Sequence, residues 1–311
     1  MHGVINFLKP PGMTSHDAVA FVRRIAGTKR VGHTGTLDPA AAGVLPICIG
    51  QATRLVEYLQ EGTKEYIAEV TFGHETDTLD AMGEIVSVGH ASGVTLESLR
   101  ATLEPFRGII KQTPPLYSAI KQGGKKLYEL ARAGTLESEV EIASREVTIS
   151  QLHLTRFVPG DTSTQQPCAM LHIKCSGGTY IRSLVRDIGR SLNCGATMTF
   201  LVRTRNGVFK FDRSHTVEEI GRDCRAAILP IMDALALCAA TTVTDNVVVQ
   251  HLSQGRQIEA PKASASGKQV LHERVLFVDE QHTVAAFAIP AELGDSAYYK
   301  PEKVFFLDGD D

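Results

Sequence analysis

Tryptophan is absent from this 311-residue chain, so stacking on any planar ligand falls to tyrosine, phenylalanine, histidine or arginine. No run approaches the roughly eighteen apolar residues that a membrane-spanning helix needs. The N-terminus, MHGVINFLKPPG, lacks the charged-then-apolar layout of a secretion signal, and the expectation is a cytoplasmic protein without membrane association. The six cysteines form no C-x-x-C and no framework spacing, so they read as reduced, small apolar residues. The eleven histidines include no H-E-x-x-H, which leaves metal binding without sequence support. There is no glycine-rich phosphate loop of the P-loop or dinucleotide type, no internal repeat and no low-complexity segment.

What is present suits an ordinary globular chain, with 43% apolar and 22% charged residues. The net charge of −3 speaks against a polyanionic partner, but its distribution does not. From Thr241 onward there are 11 acids and 6 bases, against 24 and 26 before it. The bases lie upstream and the tail is acidic, an asymmetry that points to nucleic acid. Two differently charged surfaces without purpose would give the same count.

Val4 to Leu8 reads as a strand closed by Lys9-Pro10-Pro11-Gly12. Ser15 is a suitable N-cap for a helix with Val19, Val22 and Ile25 on its apolar face, stopped by Gly27. In the strand that begins at Lys64, residues Tyr66, Ala68, Val70 and Phe72 share one face. HETDTLDAMG reads as a polar loop before a strand at Glu84 to Val88, and Thr95 to Phe106 as a helix. Strands then dominate from Val140 to Ser176, broken by the polar loop PGDTSTQQP, and GGTYIRSLVRDIGRSLNCG reads as turn, helix and stop. Strands and helices mix without strict alternation, so the fold class expected is α+β with a large mixed or antiparallel sheet. After about residue 240 the pattern changes to short alternating strands at Val247 to Val249, Val270 to Leu271, Val275 to Val278 and Val284 to Ile289. That is the pattern of a small β-barrel or sandwich.

The stretch RVGHTGTLDPAAAGVLPICIG holds one carboxylate, Asp38, among glycines, threonines and small residues. An aspartate before proline fits a turn residue that accepts backbone hydrogen bonds. Paired-carboxylate hydrolysis needs a second acid, which this loop does not supply. A lone carboxylate can serve as nucleophile or base if something holds it ionised. Arg182 is the candidate holder: it begins a stripe with Arg186 and Arg190, and it sits in the first helical turn, where the dipole disfavours a cation. The alternative is a solvated basic face. Tyr66 fits core packing or stacking, and His33 lies between glycines that imply an exposed, flexible loop. Arg203 and Arg205, like Lys121 and Lys125-Lys126, read as solvated bases.

Five segments in order, GVINFLKPPGMTSHDAV, RVGHTGTLDPAAAGVLPICIGQATR, KEYIAEVTFG with TDTLDAMG, TPPLYSAIKQGGKKLYELARAG and CSGGTYIRSLVRDIGRSL, resemble the TruB family of tRNA pseudouridine synthases. The likeness runs from about Gly3 to Phe211. From Thr241 the chain resembles a small PUA-type RNA-binding barrel, on LSQGRQIEAP and the strands near VLFVDEQHTVAAFAIP. The resemblance implies a catalytic domain over 1–240 and a PUA-like domain over 241–311. It implies an isomerase of the stand-alone bacterial type that converts uridine 55 in the tRNA T-loop to pseudouridine. Such an enzyme needs no cofactor and no obligatory protein partner, binds the T-arm of tRNA and works as a monomer. By the same resemblance Asp38 is the catalytic carboxylate, Arg182 its partner, and Tyr66 the aromatic that stacks on the target base and serves proton transfer. His33 fills space near the flipped nucleotides, Tyr180 and Leu201 line the base pocket, and Lys9 and Pro10 are structural. One departure is FLVRTRNG, where relatives often carry adjacent arginines.

Overall fold

The computed structural model describes residues 1–135, 140–160, 166–259, 273–293 and 296–307. Alternation along the chain builds one ten-stranded sheet. Its order is Ile228–Pro230, Gly3–Lys9, Ala42–Ile49, Ala196–Asn206, Lys64–Phe72, Cys168–Cys175, Arg145–Val158 and Gly108–Gln112. Val31–His33 pairs beside Ala42–Ile49, and Phe209–Lys210 beside Ala196–Asn206. Every pairing is antiparallel except a short parallel joint, where Val202 and Arg203 meet Ala42 and Gly43. The expected α+β class with a mixed, mainly antiparallel sheet is what forms. Gly43, at φ +115°, carries no side chain because one would run into the Arg203 backbone.

Tyr66, Ala68, Val70 and Phe72 are buried on one face of their strand, as the period of two requires. Against that face lies the helix Ile181–Ser191, which buries Ile181, Leu184, Val185 and Ile188. The helix Ser15–Ala26 covers the same cluster with Ala18, Val19 and Val22. Its cap is Thr14, not Ser15: Thr14 and Asp17 form a reciprocal capping box. The Ser15 hydroxyl is engaged elsewhere, donating to the Leu37 carbonyl at 3.0 Å and accepting from the Leu37 N–H at 2.9 Å.

Part of the HETDTLDAMG segment is strand rather than loop, since His74–Thr76 pairs with Ile85–Val88. Thr95 caps the helix Leu96–Leu103, which tightens to a 3-10 turn over Glu104–Phe106. Residues 161–165 of the expected polar loop and the strand expected at Val270 to Leu271 lie outside the described residues.

At the C-terminal end a five-stranded sheet runs Thr241–Thr244, Val275–Val278, Val284–Leu293, Ser296–Phe306 and Ile258–Glu259, a PUA-like arrangement. Val247 to Val249 is helical, within Asn246–Ser253. Asp245 accepts from the Val247 and Val248 N–H groups, at 2.9 Å each, and Val249 and Leu252 pack on the sheet. Cap and burial here outweigh the strand preference of three valines. The two sheets share an apolar cluster in which Tyr58, Leu59, Ile231 and Leu235 meet Leu276, Phe287 and Phe305. All six cysteines are free, and burial pushes the Cys48 and Cys238 thiols up to about 12. Among the described residues no helix is long and apolar enough to cross a membrane.

Candidate active site

Asp38 sits on the loop between Val31–His33 and Ala42–Ile49, and that loop is fixed from three sides. Ser15 holds Leu37 in both directions. The buried Lys9 ammonium donates to the carbonyls of Pro10, Met13 and Pro39 at 2.9, 2.6 and 3.2 Å. Burial pulls that ammonium down to about 8, while Asp38 nearby works in the opposite sense. The structural role expected of Lys9 is what its three acceptors describe.

Arg203 is the third support, and sequence reading missed it. It is 1% exposed, and its guanidinium donates to the carbonyls of Val44 at 2.8 Å, Gly35 at 3.0 Å and Thr36 at 3.3 Å. Far from a solvated base, it closes both ends of the Asp38 loop onto the sheet. Alternation was the available signal, because Arg203 follows Leu201 by two residues and so faces the same buried side.

The Asp38 carboxylate is gripped by Arg182. Nε donates to one carboxylate oxygen at 2.8 Å and an Nη to the other at 3.0 Å, the parallel fork that only arginine provides. Two further donors go to the carbonyls of Thr78 at 2.8 Å and Tyr117 at 3.0 Å. Four acceptors offset the unfavourable position of a cation in the first helical turn. Two of the three arginines in the stripe, Arg182 and Arg186, are buried, and only Arg190 is exposed. Arg186 is buried against Asp187 and the Thr113 carbonyl, and Arg190 pairs with Glu75.

A second acid does approach, from a distant part of the chain. Asp80 lies 3.9 Å from Arg182 Nε, and it accepts from the Thr78 hydroxyl at 2.7 Å and the Met82 N–H at 3.0 Å. One oxygen of its carboxylate is thereby committed to its own turn, while the other approaches the same Nε that donates to Asp38. Asp38 is the carboxylate left open on one side, with its side chain 31% exposed.

Tyr66 is buried opposite Arg203 on the neighbouring strand. Burial pushes its phenol well above the usual range, against the opposing pull of Arg203, so the hydroxyl keeps its proton at neutral pH. His33 is neither exposed nor on a loose loop. It is half-buried on a paired strand, and its Nδ1 accepts the Gly35 N–H at 3.2 Å. Burial, with Arg203 nearby, lowers its pKa, which favours a neutral imidazole. Leu201 is buried in the same apolar cluster as Tyr66. Tyr180 caps the Arg182 helix, its backbone held by Gln112, which accepts from its N–H at 2.7 Å and donates to its carbonyl at 3.0 Å. Asp38 and Arg182 are thus in direct contact, and Tyr66 and Arg203 lie within electrostatic reach of Asp38. No cluster of metal-ligating residues occurs among the described residues.

Chemically the site offers one open, cation-paired carboxylate, one buried protonated phenol, a neutral imidazole and an apolar wall. Comparison with known proteins identifies the family. The model for the TruB family pseudouridylate synthase (N terminal domain) matches residues 23–181, and that for the tRNA pseudouridylate synthase B C-terminal domain matches residues 182–235. The tRNA pseudouridine synthase B of Symbiobacterium thermophilum is 49% identical over 250 residues, covering 80% of this chain and 81% of that one. Its counterpart in Caldanaerobacter subterraneus is 51% identical over 229 residues, covering 74% and 77%. Among solved structures, a chain of a Cbf5-Nop10-Gar1 complex superposes with a TM-score of 0.69 at 26% identity, covering 98% of this chain and 86% of that one. On matched family models, relatives at about half identity and a shared fold, the chain belongs to the TruB family of pseudouridylate synthases, which are isomerases.

Proposed function

We propose that this chain isomerises uridine 55 in the T-loop of tRNA to pseudouridine, with Asp38 as the catalytic nucleophile or base. The observation that carries the reading is the two-pronged Arg182 grip on a carboxylate whose other side is open. In the reaction the N1–C1′ bond breaks, the uracil turns and a C5–C1′ bond forms. The proton lost from C5 balances the one gained at N1, so no redox step or second substrate enters. One carboxylate suffices, by attack at C6 or C1′, or by removing the C2′ proton.

A target uridine must first leave its stack, at a cost of a few kcal/mol, and stacking on an aromatic returns about 1–3 kcal/mol. Tyr66 is that aromatic, and its protonated hydroxyl is suited to proton transfer at the base. Leu201 and Tyr180 wall the pocket, and neutral His33 fills space beside the displaced nucleotides. The names of the bacterial relatives support tRNA as the substrate. We assign 1–240 to catalysis and 241–311 to a PUA-like RNA-binding domain. On this reading the protein works in the cytoplasm as a monomer without an obligatory partner protein, as the stand-alone bacterial type does.

The test is to incubate the purified protein alone with an unmodified tRNA transcript and map pseudouridine at each position. Product confined to position 55, abolished in Asp38→Asn while tRNA binding survives, is the expected result. Single-turnover activity of Asp38→Asn within about tenfold of wild type would remove Asp38 from the chemistry.

A further inference from the structure

The turn Ser176-Gly177-Gly178-Thr179 joins the strand Cys168–Cys175 to the helix that carries Arg182, and two cations flank it. Lys64 opens the strand that bears Tyr66. Its Nζ lies 3.3 Å from the point where a side chain on Gly177 would begin, and its Cε 4.0 Å from the same point on Gly35 of the catalytic loop. Arg145 stands over the other glycine, its guanidinium carbon 3.4 Å from the side-chain position of Gly178. The same guanidinium covers the Tyr180 ring at 4.9 Å. Both glycines are exposed, and neither carries a side chain that would screen the cation beside it from an approaching ligand.

Neither cation has a carboxylate partner among the described residues. Lys64 Nζ reaches the Gln60 carbonyl at 3.3 Å, and Arg145 donates to the Gly178 carbonyl while its Nε is buried without a hydrogen-bond partner. Neighbouring bases differ: Lys174 and Arg205 are tied to Glu65, and Arg190 to Glu75. Burial, and after it the nearby Arg203, also pulls the Lys64 ammonium below its usual value.

We infer that Lys64 and Arg145 grip the phosphodiester backbone of the substrate RNA beside the target uridine, at the Gly177-Gly178 turn. This rests on the function proposed above. Phosphate contacts fix register without reading sequence, and Tyr66 and Tyr180, the aromatics of the base pocket, are two residues from Lys64 and beneath Arg145. The two cations therefore set where the strand lies when the uridine enters.

The experiment measures the salt dependence of T-arm RNA binding for wild type, Lys64→Met and Arg145→Met, together with pseudouridine formation by the same preparations. Each loss of a single-strand phosphate contact lowers the log–log slope by about 0.7. Between about 50 and about 200 mM salt, wild type then loses roughly threefold more affinity than either variant. RNA with a neutral methylphosphonate beside the target uridine is expected to bring the wild-type slope down to that of the variants. Lys64→Arg and Arg145→Lys, which keep the charge, retain the slope. Unchanged slopes in both Met variants, or slopes lost equally in the charge-keeping variants, overturn the inference. Product formation by wild type separates the two readings: absence of product refutes the function, whereas product with unchanged slopes refutes the phosphate grip alone.

Discussion

Replacing Arg182 by methionine removes four donated hydrogen bonds at once, two to Asp38 and one each to the carbonyls of Thr78 and Tyr117. Arg182 is 5% exposed and the Asp38 side chain 31%, so the pair is buried on one side and wetted on the other. Breaking a fully buried pair costs about 3–5 kcal/mol. Water at the open edge of Asp38 reduces this, and about 2–3 kcal/mol of destabilisation is expected for Arg182→Met. Asp38→Asn keeps the shape and one accepting oxygen, and costs about 1–2 kcal/mol. If the fork is real in energy as well as geometry, the double variant is less destabilised than the sum, with a coupling of about 1.5–3 kcal/mol. Urea unfolding of the four proteins measures it without reference to catalysis. A coupling below about 0.5 kcal/mol would refute the reasoning, and would leave Arg182 as a contact for something outside the protein. In the activity assay Arg182→Lys is expected to recover only part of the lost rate, because one ammonium cannot reach all four acceptors.

Tyr66→Phe is expected to keep base capture and lose about a hundredfold or more in single-turnover rate, while Tyr66→Ala also weakens capture; equal rates for Phe and wild type would confine Tyr66 to stacking. Lys9 provides a pH test: its folded pKa of about 8 lies below the ordinary 10.5, so the unfolded chain binds more protons between those values and stability rises with pH there. Relative to Lys9→Met, the unfolding free energy of wild type should climb by up to about 3 kcal/mol from pH 8 to pH 10.5, and a flat difference would mean that the three carbonyls hold the proton as firmly as water does. Removing residues 241–311 uncovers Tyr58, Leu59, Ile231 and Leu235, so the truncated chain is expected to lose solubility or melting temperature; a soluble fragment that melts like wild type would contradict the shared cluster. Phe287→Ala, in the full chain, should cost about 3–5 kcal/mol by emptying that cluster.

Elements whose sequence signal is local were legible. The alternation at Tyr66 to Phe72 and the helix after Gly177-Gly178 stand where the residues put them. Signals that depend on distant partners misled. Arg203, Arg186 and Arg190 look like solvated bases until the carbonyls of the Asp38 loop and of Thr113 and the Glu75 carboxylate arrive from elsewhere in the chain. Asp80 is hidden in the same way, as is the second use of Ser15. Val247 to Val249 reads as strand by residue type, and only the Asp245 cap and the buried side of Val249 turn it into helix. The isolated Asp38 loop raises the question of what holds a carboxylate in place, and the answers lie 29 residues upstream at Lys9 and 165 downstream at Arg203.

The four acceptors of Arg182 also set an order of events in folding. They come from segments 144, 104 and 65 residues away, at Asp38, Thr78 and Tyr117. Contacts of such long range form only after the intervening chain has closed its loops, which makes them slow relative to the helix that carries Arg182. If Asp38 is the catalytic carboxylate proposed above, a chain that has built its helices but not docked these three segments holds that carboxylate with no aligned counter-charge, and is chemically silent. Refolding followed by far-ultraviolet dichroism should therefore run ahead of the return of activity. On that proposal the arginine acts as a gatekeeper of maturity, withholding reactivity from every partly assembled form of the protein.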